Sequence, residues 1–201
     1  MNYTGWEMAT ANTDLSERAF QSAQLFTSWL AKNHATCAGI WLRFAKKDSG
    51  LASVTSQEAI EAAICFGWID GQIQRKDGRT YLVRYGPRAK RSIWSKINRG
   101  RVPALIEQDR MQPAGLREVA QAQQDGRWDA AYDSARTATV PPDLAAALAQ
   151  EPAALEFFAK LGGQNRYAIL FRLQTAKKAE TRARRLAQFV VMLREGRTIH
   201  P

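Results

Sequence analysis

Cysteine and histidine are scarce in this 201-residue chain, with two of each. Cys37 and Cys65 are too few and too unpatterned for a disulfide framework, and they fit buried thiols in a reducing compartment. His34 and His200 share no metal-ligand spacing with them, so no metal site is expected. The chain lacks a Walker loop, a G-x-G-x-x-G turn and a G-x-S-x-G elbow, which removes the usual phosphate-cradle and nucleophile signatures. No run approaches the roughly 18 apolar residues that a membrane span needs. The first 14 residues have neither the basic start nor the long apolar stretch of an export signal. These absences predict a cytoplasmic protein with no membrane span, no cofactor and no assigned catalytic residue. Acidic residues are also in deficit, 19 against 29 basic ones, for a net charge of +10.

What is present is concentrated. Cys65-Phe66-Gly67-Trp68-Ile69-Asp70-Gly71-Gln72 is followed closely by Arg84-Tyr85-Gly86-Pro87-Arg88-Ala89-Lys90-Arg91-Ser92-Ile93-Trp94-Ser95-Lys96-Ile97-Asn98. Residues 84–101 hold seven Lys or Arg and no Asp or Glu, and residues 166–197 hold nine against Glu180 and Glu195. Such patches suit phosphates, nucleic acid or an acidic partner, or they form a solvated basic surface.

Periodicity organises the rest. Residues 1–12 are polar and expected to be loose. Asp14 and Glu17 predict a capping box that opens a helix through Ala19, Phe20, Ala23, Phe26 and Leu30. Ile40 to Phe44 reads as a strand, and Thr55 with Glu58 caps a helix that Gly67 stops. Asp77-Gly78 predicts a two-residue hairpin turn. Counting outward pairs Arg75 with Thr80, Ile73 with Leu82 and Asp70 with Tyr85. Alternation puts Ile69, Ile73 and Leu82 on one face and Asp70, Gln72, Gln74, Tyr81 and Tyr85 on a contact face. Ser92 is expected to cap the next helix. Beyond Pro113 the pattern is helical, with a connector at 126–133 and a last helix carrying Leu186, Phe189, Val190 and Leu193 at i, i+3, i+4, i+7 spacing. The expected fold is α+β and helix-dominated: a small three-stranded antiparallel sheet with helices in residues 1–110, and an all-helical region at 111–201 packed on it.

Two candidate sites follow. The first gathers Trp68, Asp70, Gln72, Tyr85, Arg88, Lys90, Arg91, Ser92, Trp94, Ser95 and Asn98. A helix opening with flanking cations suits an anion. The structural alternative has Asp70 pairing with Arg84 or Arg88, Ser92 capping and the tryptophans filling core. Aromatic rings interleaved with cations also suit stacked bases, which makes nucleic acid the alternative partner. Asp70 as a general acid or base is a third reading. The second cluster is Lys177, Lys178, Thr181, Arg182 and Arg185. Cations at a helix start oppose its dipole and point to an external anion or an acidic protein partner, unless nearby carboxylates neutralise them.

Several motifs resemble the bacterial YdeI/OmpD-associated (OmdA-like) family. They are Trp41-Leu42, Cys65 to Gly71, Pro87-Arg88, Ser92 to Lys96, Asn98, Gly115-Leu116, Trp128 to Tyr132, Ala176-Lys177-Lys178, Glu180-Thr181-Arg182 and Arg185. The resemblance runs over roughly residues 20–201. It implies a link to bacteriocin or antimicrobial-peptide protection and to outer-membrane porins, and it carries over no catalytic residue. The resulting expectation is a non-enzymatic, basic binding protein for an anionic ligand or partner, serving stress or antimicrobial-peptide resistance.

Overall fold

A computed structural model describes residues 15–201. The expected loose start and Asp14 of the expected capping box lie outside the described residues. The described residues form four strands and eight helices, and they divide into two compact units. One takes in the described residues up to Ser92 together with Arg101–Gln124. The other comprises Ile93–Gly100 and Asp125–Pro201.

The first unit carries the sheet. Strands β1 (Glu17–Ala19), β2 (Ile40–Ala45), β3 (Trp68–Arg75) and β4 (Thr80–Pro87) lie in the order β1-β2-β4-β3. β1 runs parallel to β2, and the other pairs are antiparallel. The sheet is therefore four-stranded and mixed, which corrects the three-stranded antiparallel expectation. Residues 17–19 supply the extra strand where a helix was expected. The first helix, α1 (Ala23–Asn33), starts later, and the Ser22 hydroxyl accepts from the Leu25 N–H as its cap. β2 alternates as its sequence demands: Ile40, Leu42 and Phe44 are buried, whereas Arg43 is exposed. Helix α2 (Ser56–Cys65) begins with the expected reciprocal box, the Thr55 hydroxyl accepting from the Glu58 N–H while the Glu58 carboxylate accepts from the Thr55 N–H.

The hairpin departs from its count. Arg75 pairs with Tyr81, Gln74 with Leu82 and Ile73 with Val83, one residue off the expectation, while Asp70 still pairs with Tyr85. The Asp77 carboxylate explains the wider turn. Its Oδ1 accepts from the Arg79 and Thr80 N–H groups, each at 2.7 Å, and its Oδ2 accepts from the Thr80 hydroxyl. A bulge then sets Gly71 and Gln72 against Arg84 and absorbs the slip. The expected faces change accordingly. Ile73 is 73% exposed, whereas Val83 and Tyr85 are buried.

Helix α3 (Lys96–Glu107) follows, and the chain division falls within it. Ser95, not Ser92, caps it: the Ser95 hydroxyl accepts from the Asn98 N–H at 3.1 Å. Ser92 instead closes a turn, its hydroxyl accepting from the Ala89 N–H. Helix α4 (Pro113–Gln124) belongs to the first unit. The second unit contains α5 (Pro142–Ala149), α6 (Pro152–Lys160), α7 (Gly163–Gln174) and α8 (Ala179–Arg194). Their apolar faces meet in one core of Leu144, Leu148, Phe158, Ile169, Leu173, Phe189 and Leu193. The last two of these lie on the face expected from the α8 spacing.

Candidate functional site

The first unit contains a cavity of about 270 Å³ that takes in two of the sequence candidates, Trp68 and Arg88. Its floor is a tight junction. α2 ends at Cys65 with Phe66 as its C-cap, and Gly67 follows with φ +72, a conformation that favours glycine. The Arg88 N–H donates to the Gly67 carbonyl at 3.0 Å, which ties the end of β4 to this corner. α4 forms one wall. A Cβ on Gly67 would meet the Ala114 carbonyl at 3.0 Å, and one on Gly115 would meet the Cys65 carbonyl at 2.3 Å. The two glycines thus let α4 lie against the α2–β3 corner. That contact brings Arg117 and Glu118 to the cavity.

The end of α1 adds His34 to the lining. Its carbonyl accepts from the Trp68 indole N–H at 3.1 Å, and its ring lies 5.1 Å from that of Phe66. Nδ1 sits 2.9 Å from the Leu30 carbonyl oxygen. A carbonyl only accepts, so Nδ1 carries the proton and Nε2 is the basic nitrogen of the neutral ring. Among the described residues the lining thus carries Arg88, Arg117 and His34 against one carboxylate residue, Glu118. Arg88 is only 6% exposed. A cation in such a low-dielectric wall attracts an anion more strongly than a surface cation does.

The other sequence candidates lie elsewhere. Tyr85 is 1% exposed and packs edge-on to Phe26 at 5.8 Å. Burial, and then the Asp70 charge, push its phenol far above the usual tyrosine range. Asp70 is half-buried and Gln72 exposed on β3, and Lys90 and Arg91 are exposed beside the Ser92 turn. Trp94, Ser95 and Asn98 belong to the second unit. There Trp94 is buried edge-on to Trp128, and Asn98 is half-buried. In the second cluster, Arg182 binds both oxygens of Asp143 and donates to the Leu173 carbonyl at 2.7 Å. Arg185 donates to the Arg172 carbonyl at 2.6 Å. These two cations serve the carboxyl end of α7, where the helix dipole favours them. Thr181 is half-buried, and Lys177 and Lys178 are exposed.

His34, Arg117 and Glu118 escaped the sequence reading because they are brought in from segments far along the chain. The only local signal was the 114, 117, 118 spacing on one face of α4. Among the described residues no group of three His, Cys, Asp or Glu side chains could hold a metal ion, and no helix is long and apolar enough to cross a membrane.

Residues 18–118 match the family described as a domain of unknown function (DUF8412), and residues 137–196 match the family described as Bacteriocin-protection, YdeI or OmpD-Associated. The first match spans half of the chain, which therefore belongs to that family of unknown function. The second matches the resemblance read from the C-terminal motifs. The motifs between Trp41 and Asn98 fall instead within the first match. No curated protein and no solved structure matches the chain.

Proposed function

We propose that this chain is a binding protein rather than an enzyme, and that it takes a small oxyanion, a phosphate or a carboxylate, beside Arg88 and Arg117. One observation carries the reading: the nine-tenths-buried Arg88 and the exposed Arg117 line the same 270 Å³ cavity, with Glu118 the only carboxylate among its described lining residues. On this reading the anionic ligand expected from the basic segments sits beside Arg88. Bacteriocin protection, the role printed in the C-terminal family's description, belongs to this reading as the cellular consequence of binding in the cytoplasm. Nucleic acid is the weaker reading. Trp68, Tyr85 and Trp94 are each 1% exposed and present no ring face on which a base could stack.

The test is a titration of the full ¹⁵N-labelled chain with inorganic phosphate and, separately, with acetate. Saturable shifts at the amides of Gly67, Arg88 and Ala114 are expected, and the tighter of the two anions identifies the ligand class. Arg117→Gln, an exposed change that leaves the core intact, should weaken binding about tenfold, the lower range for a charge-assisted hydrogen bond. Unchanged affinity in that variant would reject the site.

A further inference from the structure

A second cavity, of about 340 Å³, lies within the second unit and is lined by Asp125, Arg127, Ala130, Thr175, Ala176 and Lys177 among others. We propose that it binds a small organic carboxylate with an apolar body, independently of the site beside Arg88.

Charge is the first argument. Arg127 is 6% exposed, and its Nε donates to both oxygens of Asp125 at 2.8 Å. Asp125 also accepts from the Arg127 N–H at 3.2 Å, so the guanidinium is fixed in the wall by its own turn. Lys177 joins it in the lining and is exposed. Two cations thus face one carboxylate, and that carboxylate is already engaged. Two other cations of the basic segment, Arg182 and Arg185, serve Asp143 and the end of α7. Lys177, by contrast, lines this cavity.

Shape is the second argument. Ile93, Ala130 and Ala176 give the lining an apolar share, which suits a carbon body better than a bare inorganic anion. The surrounding backbone is held in advance. The Gln174 amide oxygen accepts from the Asp133 N–H at 3.0 Å, the Tyr167 hydroxyl donates to the Asp133 carbonyl at 2.8 Å, and the Thr175 hydroxyl donates to the Phe171 carbonyl at 2.6 Å. The first two bonds tie the connector to α7 and the third closes the end of that helix, so a ligand does not have to order these walls.

Three probes separate charge from shape: benzoate carries both, acetate the charge alone and benzyl alcohol the ring alone. Titrated into the full ¹⁵N-labelled chain, benzoate should shift the amides of Gly126, Thr175 and Ala176 saturably, and more tightly than either other probe. Lys177→Gln should weaken benzoate about threefold, the scale of one solvent-exposed charge pair. Ala130→Leu, at an exposed position, should fill the cavity and abolish the shifts while the remaining spectrum stays native. Benzyl alcohol binding as tightly as benzoate would overturn the carboxylate assignment. Absence of saturable shifts at those amides, or equal benzoate affinity in Ala130→Leu, would overturn the site.

Discussion

Arg182 grips both oxygens of Asp143, with Nε 2.7 Å from Oδ2 and Nη2 2.8 Å from Oδ1. The same guanidinium donates to the Leu173 carbonyl. One side chain of α8 thus ties the first turn of α5 to the last turn of α7. A planar five-donor head can do this, whereas a lysine ammonium cannot match the bidentate geometry.

This pair makes the second unit acid-sensitive. The Arg182 hydrogen bonds hold the Asp143 carboxyl below the usual carboxylate range, and Arg182 is pushed up in turn. A group whose folded pKa is depressed contributes stability above its unfolded value, about 4, and loses it as pH falls through the lower folded value. Both side chains are partly exposed, so the pair contributes about 1 kcal/mol, the upper end for exposed pairs. Urea denaturation of Asp143→Asn should show that loss at pH 7 and a narrowing difference from the native chain below pH 3. An equal deficit at both pH values would assign the effect to lost shape rather than charge.

Glycine placement in α4 and α3 predicts opposite outcomes for the same substitution. In Gly115→Ala the new methyl would sit 2.3 Å from the Cys65 carbonyl oxygen and 2.6 Å from that of Ile64. Backbone cannot rotate aside as a side chain can, so α4 must move off α2, at a cost of about 3 kcal/mol, the top of the usual overpacking range. Gly100, within α3, has no atom within 4 Å of an added Cβ. Gly100→Ala should stabilise by about 0.5–1 kcal/mol through helix propensity alone. Chemical denaturation of the two variants checks both signs, and a benign Gly115→Ala would contradict the close approach that shapes the first cavity.

Local features were the legible ones. The α2 box needs only Thr55 and Glu58, and α8 shows its buried face in Phe189 and Leu193. What escaped was set by partners distant in sequence. Glu17–Ala19 is a strand only because β2 lies beside it, and its three exposed residues carry no alternation to announce it. The hairpin slipped because the Asp77 carboxylate closes a wider loop than the Asp-Gly pair implies, and Asp70–Tyr85 pair as counted only because a bulge compensates. Tyr85 and Trp94 looked like contact residues and are core, since ring composition does not reveal which face a strand or loop buries. Of the first candidate group, Trp68 and Arg88 line the cavity beside α4, and of their neighbours His34 arrives from the end of α1 and Arg117 through the close approach at Gly67 and Gly115.

The two thiols should separate cleanly by reactivity. Cys65 is 3% exposed at the end of α2, and burial pushes its thiol up to about 11. At pH 8 roughly one such group in a thousand is ionised, and the thiolate is the reacting species. Cys37 is half-buried, its Sγ 3.3 Å from the Gly39 carbonyl oxygen. A thiol reagent at pH 8 should therefore label one cysteine rapidly in the native chain and the second only as urea unfolds the first unit. Cys37→Ser assigns the phases: it should abolish the fast one and leave the urea-dependent one in place. Persistence of fast labelling in Cys37→Ser would mean that the α2–α4 contact over Cys65 opens in the native state, and the wall that carries Arg117 and Glu118 would then be mobile rather than preformed.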